Sequence, residues 1–326
     1  MPTILLTDPI DPGETDRLFK AGAIRRLSGD TAAELEDAVR AADVVIVRRQ
    51  LPSGILASCP RLLGLVRHGV GLDFIPVDEA SALGIAVTNT PDVNALSVAE
   101  HAVGLMLAAW RGIARSDREV RAGNWSAMRA LAPLNRELSG SQLGIVGFGA
   151  IGQEVARICH FGFGMTITVA RRSRSQDLDW VAFRSLEEVI RTSDVLVVAC
   201  PLTEETTGLI DGRLIAMMRD GVLIVNVARG AIIDEASLSE AVARKRIMAA
   251  LDVFAKQPLP PNDPLTELEG IVLSPHVAGI TRESMARMSR TAVDDTLRIL
   301  RGERPRHLVN AHAWHQIRER WTKFRT

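Results

Sequence analysis

Short apolar runs rich in Val, Ile and Leu recur along the chain at residues 3–7, 44–47, 63–66, 86–89, 143–147, 166–170, 195–199, 223–227 and 271–274. A run with no polar alternation suits a strand covered on both faces. Helix-period segments separate many of these runs, among them 31–41, 186–191 and 235–244. Strand, helix, strand in series implies parallel pairing, because a parallel return needs a long crossover. The pattern predicts an α/β chain built on parallel sheets. With 326 residues, 47% of them hydrophobic, the chain can fill two packed cores. Residues 97–123 read as one long helix, with Glu100 near its start and Gly123 after its end. Such a helix would bridge two domains, and 281–302 would be the return bridge.

Charge gives no global direction. Lys plus Arg and Asp plus Glu both total 39, so nothing pulls the chain toward nucleic acid or an anionic membrane. Cys59, Cys159 and Cys200 lie far apart without zinc-ligand spacing and read as reduced core residues of a cytoplasmic protein. The N-terminus lacks the basic lead and small-residue cleavage site of a signal peptide, and the apolar stretch 102–110 is too short to span a bilayer. His312 and His315 stand three apart in a basic tail, but no carboxylate or cysteine cluster accompanies them, and no metal is expected.

The run 143–147 leads into Gly147-Phe148-Gly149-Ala150-Ile151-Gly152 and then a helical segment, 153–160. This strand, G-x-G-x-x-G and helix form a dinucleotide-binding pattern. Gly147 would make the tight turn, Gly149 would let backbone approach a pyrophosphate, and Gly152 would allow close helix–strand contact. The helix N-terminus would offer free N–H groups to phosphate. An NAD site usually carries Asp or Glu roughly 20 residues on, bonded to the ribose. Here the sequence reads Val169-Ala170-Arg171-Arg172-Ser173-Arg174. Guanidinium suits a 2′-phosphate, so Arg171 and Arg172 predict a preference for NADP(H), with NAD(H) tolerated.

Seven blocks in fixed order carry a family resemblance: RHGVGLD (67–73), SVAEH (97–101), GFGAIG (147–152), PLTEET (201–206), VNVARG (225–230), LDVF (251–254) and SPHVAGIT (274–281). Together they resemble the D-isomer-specific 2-hydroxyacid dehydrogenase family. The resemblance implies two doubly wound parallel-sheet domains, Rossmann-like and flavodoxin-like, with a cleft between them. The substrate-binding domain would comprise 1–97 plus 288–326, and the NAD(P)-binding domain 98–287. A homodimer formed largely through the cofactor domain is also implied.

By the same resemblance, Arg229 polarises the carbonyl of a small 2-oxo acid and helps hold its carboxylate, and His276 is the acid/base. Imidazole suits that work, because its ordinary pKa is about 6.5. One position departs from the family. Its third catalytic residue is a Glu in D-V-F-x-x-E-P, and here Gln257 stands there. An amide can orient the ring but adds no charge, so His276 is expected to titrate lower than beside a Glu, favouring reduction at mildly acidic pH. Asp252 matches the position that bonds the nicotinamide amide. Ala150, Ile151, Arg171, Arg172, Pro201, Thr206, Val227, Ala228, Arg229, His276, Ala278 and Gly279 would complete the cofactor pocket.

Val70 and Gly71 resemble the loop whose amides bind substrate carboxylate. Arg48 and Arg67 occupy places similar to basic residues of phosphoglycerate dehydrogenases and would favour a second negative charge, whereas Arg171 points to a glyoxylate or hydroxypyruvate reductase. Gln257 leaves open a formate- or phosphite-type dehydrogenase, and the family scaffold leaves open a dinucleotide-sensing protein that is not an enzyme.

Overall fold

The apolar runs become parallel strands, and the helical segments cover their faces. The computed structural model describes residues 1–27, 29, 31–172 and 178–325, which divide into two units, Met1–Asn94 with Ile280–Thr326, and Ala95–Gly279.

The first unit holds β1 (Thr3–Leu6), β2 (Ala23–Arg26), β3 (Val44–Val47), β4 (Gly64–Arg67) and β5 (Ala86–Thr88). They pair in parallel in the order β2-β1-β3-β4-β5. The strand order reverses between β1 and β3, as in doubly wound flavodoxin-like sheets. Every residue of β3 is buried. Val44 and Ile46 pack on one face with Ala292, Val293 and Ile299, while Val45 and Val47 pack on the other with Leu35 and Leu56. The period of two thus serves both cores.

Helix Arg282–Arg301 belongs wholly to this unit, so the unit boundary falls at Gly279/Ile280 rather than within the helix. Thr281 closes a capping box with Ser284, and one rigid helix carries its first turn with the rest. The basic tail is not loose: helix Trp314–Arg325 buries Ile317 and Trp321 in the same core, and Trp321 Nε1 donates to Leu63 O at 3.0 Å.

The second unit holds β6 (Gln142–Val146), β7 (Thr166–Ala170), β8 (Val181–Phe183), β9 (Val195–Val198), β10 (Leu223–Asn226), β11 (Met248–Leu251) and β12 (Ile271–Leu273). All pair in parallel, in the order β12-β11-β10-β9-β6-β7-β8. The order reverses between β6 and β9, which is the switch point of a Rossmann sheet.

Three strands carry weak sequence signals. β2 is AIRR at a largely exposed edge, β8 is only VAF, and β11 is MAAL, whose alanines have little β preference. The expected long helix at 97–123 is a correction: helix Ala95–Trp110 ends, Gly112 turns left-handed at φ 57, and a new helix runs Ile113–Arg121. Glycine takes that conformation without a Cβ penalty, and the chain changes direction there. No helix among the described residues is long and apolar enough to cross a membrane.

Candidate active site

The candidate residues of the second unit follow the carboxyl ends of its strands. After β6, Gly147 takes φ 95, and a Cβ there would lie 2.6 Å from Cys200 N and Cα, so a side chain is excluded. A Cβ on Gly152 would lie 2.3 Å from Gly147 O, which shows how tightly helix and turn approach. Gly149 differs: a Cβ there would meet nothing within 4 Å. It is the N-cap of the 14-residue helix Ala150–Phe163 and no side chain caps that end. The first helical amides and the positive dipole end therefore face an open backbone cradle of the kind that takes a pyrophosphate. Ala150 and Ile151 form its first turn.

At the end of β7, Arg171 lies over the Phe183 ring, 3.6 Å from its centroid, and Phe183 meets Phe148 edge-on at 5.5 Å. This cation–π contact holds the guanidinium against the ring. Arg172 is exposed and pairs with Glu205. Ser173 and Arg174 lie outside the described residues. After β9, Thr206 Oγ1 donates to Pro201 O at 2.7 Å and accepts from Thr203 N at 2.7 Å, which ties the turn to itself.

Arg229 follows β10, with Val227 and Ala228 buried before it. Buried Asn226 fixes this turn: its Nδ2 donates to Arg229 O at 2.9 Å, and its Oδ1 accepts from Ala228 N at 3.0 Å. Arg229 Nη1 donates to Ala228 O at 2.7 Å.

His276 follows β12 in a left-handed conformation, φ 56. Its Nδ1 lies 2.8 Å from Gln257 Oε1, and Gln257 Nε2 donates to Phe254 O at 3.3 Å. That second bond turns the amide oxygen toward the ring. Nδ1 is then the donor, and neutral His276 carries its lone pair on Nε2.

Asp252, at the end of β11, is 1% exposed. Its Oδ1 accepts from Ser274 Oγ at 2.6 Å and Val277 N at 3.0 Å, and its Oδ2 from Ala278 N at 2.9 Å. Burial alone would push this carboxyl up. His101, Ser274 and the two amides outweigh it and hold the group below the usual carboxylate range. His101, Ser274, Asn226 and Glu205 carry no role that sequence alone predicts. Each lies inside one of the motif blocks that carry the family resemblance: His101 in SVAEH, Glu205 in PLTEET, Asn226 in VNVARG and Ser274 in SPHVAGIT.

The proposed substrate residues sit at the carboxyl edge of the first sheet. Arg67 Nε donates to Gly71 O at 3.0 Å and its Nη1 to Val47 O at 2.9 Å, with Phe74 under the guanidinium at 4.3 Å. Its fork shapes the loop that carries Val70 and Gly71. Arg48 Nη1 donates to Pro9 O at 2.7 Å. Val70 O accepts from Asn89 Nδ2 at 2.9 Å. Among the described residues no group of His, Cys, Asp and Glu is placed to hold a metal ion.

A family model described as "D-isomer specific 2-hydroxyacid dehydrogenase, NAD binding domain" matches residues 103–278. A glyoxylate reductase of Aeropyrum pernix is 41% identical over 264 residues, covering 78% of each chain. The chain belongs to the D-isomer specific 2-hydroxyacid dehydrogenase family. This dehydrogenase is also 35% identical over 315 residues to a D-3-phosphoglycerate dehydrogenase of Archaeoglobus fulgidus, covering 94% of this chain but only 59% of that relative. Among solved structures, an NADPH-dependent glyoxylate/hydroxypyruvate reductase of Sinorhizobium meliloti, in complex with NADP and malonate, superposes with a TM-score of 0.81 at 31% identity, covering 91% of this chain and 93% of that one. The protein is therefore a nicotinamide-dependent oxidoreductase that acts on the CH–OH group of a small 2-hydroxy acid, or on the matching 2-oxo acid.

Proposed function

We propose that this dehydrogenase reduces a small 2-oxo acid, glyoxylate or hydroxypyruvate, with NADPH. The observation that carries the reading is the His276–Gln257 pair, which leaves Nε2 as the ring atom that exchanges a proton. In reduction the imidazolium gives its Nε2 proton to the substrate oxygen; in oxidation neutral Nε2 takes the hydroxyl proton. Arg229 donates to the carbonyl oxygen, where negative charge builds, and to the carboxylate. Val70 and Gly71 amides are assigned to the carboxylate as well. When bound, the cofactor supplies or takes the hydride.

The pyrophosphate is assigned to Gly147, Gly149, Ala150, Ile151 and Gly152, and the nicotinamide end to Asp252, Ala278 and Gly279. Pro201, Thr206, Val227 and Ala228 line the stretch between. Arg171, held over the Phe183 ring, and Arg172 are assigned to a 2′-phosphate, which supports NADP(H) over NAD(H). The engagement of Arg67 and Arg48 with backbone carbonyls favours a substrate with one negative charge over a phosphorylated one. A homodimer is proposed through the second unit, where Trp125 and Leu134 are 63% and 75% exposed. A cytoplasmic location suits three buried free thiols.

The test is oxidation of NADPH and NADH by the purified protein with glyoxylate, hydroxypyruvate, phosphohydroxypyruvate and pyruvate. Turnover with glyoxylate or hydroxypyruvate, at higher kcat/KM for NADPH, supports the reading. Preference for phosphohydroxypyruvate overturns the substrate, and preference for NADH overturns the cofactor. Silence on all four would favour another hydride donor: formate, whose oxidation to carbon dioxide releases no proton and which Gln257 beside His276 also suits, or phosphite, whose oxidation takes its oxygen from a deprotonated water.

A further inference from the structure

A chain of hydrogen bonds links helix Ala95–Trp110 to the turn that carries His276. His101 Nε2 lies 2.9 Å from Ser274 Oγ and 3.5 Å from Asp252 Oδ1, and Ser274 Oγ lies 2.6 Å from that same oxygen. The directions are forced. An ionised carboxylate only accepts, so Ser274 spends its proton on Asp252. The serine oxygen can then only accept, and His101 must carry hydrogen on Nε2.

Asp252 passes the constraint on. Its two oxygens take the N–H groups of Val277 and Ala278, the residues directly after His276. Its backbone oxygen takes the N–H of His276 at 2.8 Å. A non-glycine residue in the left-handed region persists where its surroundings over-determine it, and these bonds do so at His276.

We propose that His101 is a positioning residue for the acid/base histidine: through Ser274 and Asp252 it holds the left-handed turn that aims His276. The proposal rests on the reading of His276 given above, but its first test needs no turnover.

That test is amide hydrogen exchange, read by NMR on the full chain without substrate. In His101→Leu the Val277 and Ala278 amides exchange about tenfold faster, as expected for a local opening, while β6 amides keep their protection. His101→Gln restores protection, because the glutamine amide nitrogen reaches the place of Nε2. Ser274→Ala accelerates the same two amides, and the double variant adds nothing, since both changes cut one chain. In assays kcat falls about tenfold with the KM of the oxo acid within about threefold, the pattern of a misaimed group.

Unchanged exchange in Ser274→Ala or in folded His101→Leu overturns the proposal, as do effects that multiply in the double variant. If His101→Leu does not fold, Ser274→Ala and His101→Gln decide it by the same readings. Responsive amides in a protein that reduces none of the acids would leave the positioning role standing and remove the assigned reaction. Unresponsive amides in an active enzyme would remove the positioning role alone.

Discussion

His276 Nδ1 lies 2.8 Å from Gln257 Oε1, so the group that holds the imidazole is a neutral amide and not a carboxylate. Gln257→Glu would put a negative charge beside the ring and favour the imidazolium. The proton donor then survives to higher pH, and the descending limb of oxo-acid reduction should move up by about one unit. Profiles of kcat/KM against pH for both proteins check this; superimposable limbs would separate Gln257 from the proton transfer.

Arg229 is held by a turn that Asn226 fixes through two side-chain bonds to backbone. Arg229→Gln should therefore leave the fold intact and lower kcat/KM by about 10²–10³-fold, the usual loss for one donor at a developing oxyanion. Steady-state kinetics with a melting curve reads both. Near-normal turnover would mean that another group polarises the carbonyl.

The glycines of the dinucleotide turn should separate by experiment. Gly149→Ala adds a methyl that meets no protein atom within 4 Å. The melting temperature should hold while NADPH affinity falls, because the methyl fills the space a pyrophosphate needs. Gly152→Ala drives a Cβ to 2.3 Å from Gly147 O and should lower the melting temperature itself. Fluorescence titration with NADPH and thermal unfolding check the pair, and equal affinity in Gly149→Ala would remove that residue from the cofactor site.

His68 is 3% exposed, with Nε2 2.8 Å from Ser289 Oγ. Burial first, and then the Arg48 cation, push it from 6.5 down to about 3. The unfolded chain therefore binds a proton that the folded chain refuses. The contribution of neutral His68 is whole above pH 6.5 and is lost as pH falls toward about 3, at up to about 1.4 kcal/mol per pH unit. His68→Gln should flatten the acid limb of a urea-unfolding stability profile between those values. An unchanged slope would show that His68 is already charged in the fold.

Much of the fold was legible because a parallel sheet buried on both faces demands uninterrupted apolar runs. Val44–Val47 and Val195–Val198 could hardly be anything else. The places of the candidate residues were legible too, since the glycine-spaced turn, Arg229 and His276 each follow such a run. β2 and β11 were not, because their pairing partners supply the extended shape that AIRR and MAAL do not specify. The break at Gly112 was hidden because a glycine inside a helical pattern does not reveal its own φ.

The sequence by itself determined the parallel α/β architecture, the glycine-spaced dinucleotide turn and an uncharged Gln257 in the stretch Asp252-Val253-Phe254-Ala255-Lys256-Gln257-Pro258. These depend on local period and residue type. Only the tertiary structure decided what each polar side chain is bonded to: Arg67 to the carbonyls of Val47 and Gly71, and His101 to Ser274 across 173 positions of chain. A buried donor or acceptor must find its partner wherever the fold brings one, and nothing in residue order states where that is.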